Sequence, residues 1–248
     1  MPRLSVIVIA KNEAANIGGC LDSVAFADER IVVVDKNTDG TAEIAAARGA
    51  LVLDHAFEGF GAQKNFALSQ ATGDWVFSLD ADERVTAALA GEIAQAMNGA
   101  KADGFEVPRL SSFCGRQMRH SGWYPDYVLR LFRRGKARFS DDLVHERVIC
   151  DGKVERLRND LLHAPVTKLE DALSRMDRYS TSGAAMTVAR GKRVSFSSGI
   201  THGLWSFFRT YILRGGFLDG REGFLLAVAN AEGTYYRYMK AWLAGRKT

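Results

Sequence analysis

A chain of 248 residues and 27.3 kDa, 47% hydrophobic and 25% charged with a mean hydropathy of −0.12, is long enough to bury one large core. Those values exclude a small disulfide-stapled module, a fibrous repeat and wholesale disorder. The net charge of +4 is placed unevenly, because residues 201–248 carry seven Lys/Arg against three Asp/Glu and leave 26 of each sign to residues 1–200. The three cysteines, Cys20, Cys114 and Cys150, are spaced too widely for a disulfide framework or a CxxC metal site, which points to a reducing compartment. The apolar run after Arg3 covers about six residues, short of a signal-peptide core, and no window approaches the roughly 20 apolar residues of a spanning helix. A cytoplasmic chain is expected.

In chain order, Leu4 to Ala10 reads as a buried strand, followed by a turn at Lys11-Asn12-Glu13 and a helix through Ile17, Leu21 and Val24. A second strand, Ile31 to Val34, ends on Asp35. Thr38 or Asp39 is then available as the N-cap of an Ala-rich helix over Ala42 to Arg48, with Asp39 kept as a structural residue. A third strand over Ala50 to Asp54, a helix over Ala62 to Ala71 and a fourth strand over Trp75 to Leu79 complete the first part. Continuous apolar strands alternating with helices indicate an α/β fold with a mostly parallel sheet covered on both faces. From Gly104 to Phe139 the rhythm changes to hairpins and loops. Residues 168–190 look helical, with Leu169, Leu173, Met176 and Tyr179 at helical spacing, and the glycines at 203, 215, 216, 220 and 223 are expected to break the C-terminal segment into short pieces.

Ligands of open α/β sheets collect at the carboxyl ends of strands, and three such ends here carry polar clusters: Lys11-Asn12-Glu13, Asp35 and Asp80-Ala81-Asp82. They are expected to converge. No GxGxxG follows the first strand and no GxxxxGK[ST] occurs, so neither a dinucleotide pocket nor a P-loop is supported. Asp80 and Asp82 stand two apart at a strand mouth, where extended backbone points both carboxylates the same way. Two acidic oxygens there suit Mg2+ or Mn2+, which takes one or two protein carboxylates and completes its shell with water and phosphate.

Several segments together carry a resemblance: VIVIAKNEAANIGGCLDSV at 6–24, VVVDKNTDGT at 32–41, GFGAQKNFALSQATGDWVFSLDADE at 59–83 and SGWYPDYVLRLFRRG at 121–135. The pattern resembles the family 2 inverting glycosyltransferases of GT-A fold. With VHERV at 144–148 and YILRGGFLDGREGF at 211–224, it is similar to their lipopolysaccharide core glucosyltransferase-like branch. The resemblance implies a GT-A domain over residues 1–165, a helical C-terminal extension over 166–248, and work at the cytoplasmic face of the bacterial inner membrane. It places Glu13 and Asp35 at the base and ribose of a nucleotide-sugar, Lys64 beside the nucleotide, and Asp80 and Asp82 at the metal. The sequence departs from the family between its VD and TDGT, where only Lys36 and Asn37 stand in place of three residues.

An inverting transfer needs a general base for the acceptor hydroxyl. The candidates are Glu146, which matches a family position at the rim of the site, and Asp126; the pair Asp141-Asp142 is weaker. His145 is a candidate for the metal shell or the diphosphate. From Arg109 to Arg138 eight arginines and lysines face a single acid, Asp126, so this block is expected to bind anions, with Arg130 partly buried among apolar neighbours and in need of a partner. Trp123 and Tyr124 either stack on a sugar or pack their loop.

The C-terminal fifth holds ten of the 25 aromatic residues together with the excess charge. It suits an anionic membrane surface, or equally a helix pair packing on the core or a dimer interface. The expectation is therefore an enzyme: a metal-dependent inverting transferase moving a hexose, glucose from UDP-glucose, onto an inner-core lipopolysaccharide acceptor. Its rivals are transfer to another lipid-linked acceptor, such as a polyprenyl phosphate or capsule precursor, and a catalytically silent nucleotide-sugar binder at the membrane surface. A nucleic-acid module is not expected, since the basic block lacks a helical reading element.

Overall fold

The computed structural model describes residues 1–99, 101–140 and 147–246. The chain divides into two compact units, one formed by Met1–Arg109 with Asp126–His163 and the other by Leu110–Pro125 with Ala164–Thr248.

The first unit opens with the alternation β1 (Leu4–Ala10), α1 (Ala14–Ser23), β2 (Glu29–Val34), α2 (Thr41–Ala47), β3 (Leu51–Asp54), α3 (Phe60–Gln70) and β4 (Trp75–Asp80). The strands lie side by side in the order β3-β2-β1-β4, all parallel, with Val8 opposite both Val32 and Leu79. Their unbroken apolar runs follow from burial on both faces. Val6, Val8, Val32, Phe77 and Leu79 point to one side and pack with Ile17 and Leu21 of α1. Ile7, Ile31, Val33 and Val76 point to the other and pack with Ala67 of α3.

After β5 (Glu83–Val85) and α4 (Ala87–Gly99), which adds Leu89 and Ile93 to the first core, the sheet turns antiparallel. It continues through β6 (Gly104–Phe113), β7 (Arg116–Gln117), β8 (Asp126–Arg133) and β12 (Leu161–Val166), while β9 (Ala137–Phe139) and β10 (Val148–Cys150) form a separate two-stranded sheet and β11 (Val154–Arg156) pairs parallel to β6. β8 pairs antiparallel to β4 with Val76 opposite Phe132, and β6 lies beyond it, so the path reads β3-β2-β1-β4-β8-β6-β12-β5. The expected hairpins after Gly104 are present as antiparallel pairs, but they are not accessory loops: β6 and β8 are long members of the main sheet. Their polar residues conceal them, because Arg109, Asp126 and Arg130 occupy strand positions where internal ion pairs replace apolar packing. The result is the expected α/β fold, with a mixed sheet, parallel through β3-β2-β1-β4 and antiparallel from β4 to β8 and β6, and helices on both faces.

The second unit is built on α5 (Leu169–Ala189), α6 (Phe196–Phe208) and α7 (Gly220–Gly245), with a π-helical turn at Arg209–Leu213 and a 3-10 turn at Gly216–Asp219 between the last two. α7 runs for 26 residues through Gly223 and Gly233, against the expectation of short pieces. Gly223 is a packing requirement, since a Cβ there would lie 2.0 Å from the Gly216 carbonyl oxygen. Asp219, 2% exposed, ties the 119–121 segment to these helices. It accepts hydrogen bonds from the Arg119 and His120 amides at 3.1 and 3.0 Å and from Ser121 Oγ at 2.9 Å. Trp123 packs edge-on against Phe113 and Tyr124 lies under the Arg119 guanidinium, so both rings serve their own loop.

Candidate active site

The carboxyl ends of β1, β2 and β4 open onto one cavity of about 480 Å³. Its lining contains Glu13, Asp35, Lys64, Asp80 and Asp82, so five of the residues singled out in the sequence come together from four separate segments. Two turns set the geometry. Asn12 and Lys36 both take left-handed backbone, with φ of 57° and 45°, where each chain leaves its strand. The turns are laced side by side: Asn12 N donates to Asn37 Oδ1 at 3.0 Å and Thr38 N to Asn12 Oδ1 at 2.9 Å. The shortened Lys36-Asn37 turn is thus closed by a side chain it contributes itself.

Asp39 is structural, as expected, but its work spans both turns. It accepts from the amides of Ala14 at 3.0 Å and Thr41 at 3.1 Å, while Gly40 occupies the N-cap position of α2. Asp35 is buried at 6% exposure beside Lys11 Nζ at 3.3 Å.

Asp80 sits between two cations. Lys64 Nζ reaches Oδ1 at 3.0 Å and Arg130 Nη2 reaches Oδ2 at 2.5 Å. Burial favours protonation of its carboxyl, but the Arg130 and Lys64 charges outweigh it and hold the group well below the usual carboxylate range. Arg130 continues to Glu83 Oε1 at 2.6 Å, and the fully buried Glu83 also accepts from the Asp80 amide at 3.0 Å. Arg109 extends the chain, with Nη1 3.5 Å from Glu83 and Nε and Nη2 at 3.0 and 2.6 Å from Asp126. Lys64, Asp80, Arg130, Glu83, Arg109 and Asp126 therefore alternate in sign, so the buried Lys64, Arg130 and Glu83 each meet an opposite charge. Burial disfavours the charged form of Arg130, yet Asp80 and Glu83 outweigh it and push the guanidinium above its ordinary value.

Asp82 lies at the cavity mouth with His163 Nε2 3.4 Å from Oδ2. Burial raises its carboxyl, but the hydrogen bond and charge interaction with His163, together with a backbone hydrogen bond, outweigh it and leave the group below its ordinary value. Beside this cavity a second one of about 370 Å³ shares Lys64 and Asp80 and is lined further by Arg109, Tyr127, Arg130 and Arg147.

Asp126 lines neither cavity and its Oδ2 is taken by Arg109. Glu146 and His145, with Asp141 and Asp142, lie outside the described residues. The basic stretch from Arg109 to Arg138 is largely spent internally. Arg133 pairs with Asp103 and stacks over Trp75, Arg134 donates to the Gly73 carbonyl and Arg138 pairs with Asp151.

Three contributions were not read from the sequence. Phe57 and Phe60 put an edge-to-face pair, 47% and 48% exposed, on the cavity wall, and the signal was two aromatics in a glycine-rich polar loop after β3. Glu83 was visible only as the residue after the DxD. His163, a lone histidine in a distant strand, left no local signal.

A mixed sheet whose parallel half delivers acidic side chains and a lysine to one cavity at its carboxyl edge is the layout of a GT-A glycosyltransferase. The model of Glycosyl transferase family 2 matches residues 5–150, and the chain belongs to that family. The lipopolysaccharide core biosynthesis glycosyltransferase LpsC of Rhizobium meliloti is 32% identical over 241 residues, 92% of this chain and 87% of that protein. The uncharacterized glycosyltransferase RP128 of Rickettsia prowazekii is 29% identical over 253 residues, 97% of this chain and 87% of its own length. Among solved structures, glucosyl-3-phosphoglycerate synthase from Mycobacterium tuberculosis in complex with Mg2+ and UDP aligns at 25% identity over 44% of each chain with a TM-score of 0.39.

Proposed function

We propose that this glycosyltransferase is metal-dependent and inverting, and that it moves a hexose, glucose from UDP-glucose, onto a lipid-linked saccharide of the lipopolysaccharide inner core at the cytoplasmic face of the bacterial inner membrane. The observation that carries the reading is the convergence of Glu13, Asp35, Lys64, Asp80 and Asp82 on one cavity. The full-length similarity to a relative named for lipopolysaccharide core biosynthesis supports the acceptor class.

The donor set suits a small hard cation. Among the described residues no cluster of three or more His, Cys, Asp or Glu side chains is assembled, which disfavours an all-protein cage. Mg2+ or Mn2+ needs only one or two carboxylates and leaves its other positions to water and phosphate. Asp82, backed by His163, would be the principal ligand; Asp80, with both oxygens already held by Lys64 and Arg130, would act from behind it. Bound there, the cation would supply charge neutralisation for the departing diphosphate.

The chain's own residues do the rest. Asp35 and Glu13 accept hydrogen bonds from the base and ribose, and Phe57 and Phe60 offer the base an apolar wall. Lys64 Nζ adds a fixed positive charge where negative charge develops, with no reorganisation because Asp80 already positions it. Glu146 takes the acceptor hydroxyl proton while that oxygen bonds to the anomeric carbon; Asp126, the alternative, would first have to leave Arg109. The bond from that carbon to the β-phosphate oxygen breaks on the opposite face, and its electron pair leaves with the diphosphate.

The test is nucleoside diphosphate release from a panel of UDP-, GDP- and ADP-sugars, with manganese, magnesium or chelator and with isolated core lipid as acceptor. Metal-dependent release from one UDP-hexose is expected. Asp82→Ala should lower it by about 10³-fold with an unchanged melting temperature. Normal turnover in that variant removes Asp82 from the site, and silence of the parent with every donor and acceptor removes the reaction.

A further inference from the structure

Helix α6 is built inside out. Its buried positions are Gly199 and Gly203, where a Cβ would come 2.4 Å from Met239 Cε and 3.3 Å from the Ala231 carbonyl oxygen, so the glycines allow close packing on α7. Phe196 and Phe207 reach Trp242 and Phe224 of α7, but the remaining large apolar residues point the other way. Ile200, Leu204, Trp205 and Phe208 are 43%, 68%, 53% and 44% exposed, and Ile212 and Leu213 in the π-helical turn continue at 45% and 59%. Ile200, Leu204 and Phe208 recur at four-residue intervals, which places them on one face. A helix folded only against its own protein turns its large apolar side chains inward. This face therefore has an occupant beyond the unit.

Charge decides which. Residues 178–218 contain no Asp or Glu, while they carry Arg178, Arg190, Lys192, Arg193, Arg209 and Arg214. None of these six enters an ion pair with a described residue. A second copy joined through the same face would set Arg209 and Arg214, in and beside the π-helical turn, against their own counterparts, since a twofold contact pairs a patch with itself. An anionic lipid surface satisfies both features at once: guanidinium groups take headgroup phosphates while Trp205, Phe208 and their neighbours enter the boundary between headgroups and acyl chains. No helix among the described residues is long and apolar enough to cross a membrane.

We infer that the outer face of α6 with its π-helical turn is a docking surface for an anionic bilayer. The inference supplies a membrane contact for the lipid-linked acceptor proposed above and rests on that reading only for its purpose, because the surface uses none of the donor-cavity residues. The full chain should co-sediment with phosphatidylglycerol/phosphatidylethanolamine vesicles at least tenfold more tightly than with phosphatidylcholine vesicles, and salt should weaken the binding. The double variants Trp205→Ser/Phe208→Ser and Arg209→Glu/Arg214→Glu should each lower vesicle binding at least tenfold, while hydrolysis of the nucleotide-sugar in solution stays at the parental rate.

Failure of the parent to bind anionic vesicles overturns the inference. So does equal binding to both vesicle types, or a dimer by sedimentation velocity that Trp205→Ser/Phe208→Ser dissociates. Loss of donor hydrolysis in the parent would strike the catalytic reading alone.

Discussion

The two ends of the parallel strands β3-β2-β1-β4 carry the same kinds of side chain and use them in opposite ways. Where β1, β2 and β4 begin, the acids accept hydrogen bonds from neighbouring hydroxyls and backbone amides. Glu29 accepts from Ser5 Oγ at 2.5 Å and from Thr72 N and Oγ1 at 2.9 and 3.2 Å, Asp28 accepts from the Leu4 amide at 2.8 Å, and Asp74 from the Arg3 amide at 2.8 Å. Where the same strands end, Asp35, Asp80 and Asp82 face a cavity and are held by Lys11, Lys64, Arg130 and His163. A carboxylate whose lone pairs are filled by neighbouring hydroxyls and amides has become scaffold. One poised by cations beside an open volume keeps its capacity for a ligand.

The sharpest way to break the comparison lies just behind the open end. Glu83→Gln removes a fully buried charge shared by Arg130 and Arg109 and should cost about 3 kcal/mol in urea unfolding, with activity falling alongside. An unchanged midpoint would mean the ion chain does not hold the strand ends. Asp35→Asn keeps the shape and should leave stability within about 0.5 kcal/mol. Its expected effect is a rise of about tenfold in the donor KM, roughly 1.4 kcal/mol of lost binding; a loss of stability with normal KM would make Asp35 scaffold too.

Glu29→Gln is the smallest effect and the mirror image. Burial raises the Glu29 carboxyl, but the hydrogen bonds from Ser5 and Thr72 bring it below its ordinary value. A depressed native pKa contributes stability that is present above the unfolded value near 4.3 and is lost as pH falls through the native one. The parent should therefore exceed the variant by about 1 kcal/mol at pH 7 and converge with it in acid, while donor KM is unchanged. A difference that persists in acid would show that shape, not charge, is what Glu29 contributes.

Much of this was legible beforehand because it is local. The apolar runs of β1, β2 and β4, the turn chemistry after them and the acids at their ends are adjacent in sequence, and the rule that ligands gather at carboxyl edges joins them. The length of β6 and β8 and their place in the main sheet escaped, beyond the hairpins expected there, because Arg109, Asp126 and Arg130 interrupt their pattern, and only their partners in other strands make those positions tolerable. The long α7 escaped because glycine is read as a breaker, whereas Gly223 serves a close helix approach whose second half is Gly216.

What the chain alone determined is the α/β class, the family and the identity of five cavity residues, since each rests on runs of neighbouring residues. Only the tertiary structure decided that Asp80 is clamped by Lys64 and Arg130, that His163 backs Asp82, that Asp126 is committed to Arg109 and that α6 turns its large side chains outward. Those facts depend on which groups meet across the fold. A side chain's charge is written in the sequence, but its partner, and therefore its role, is assigned by packing.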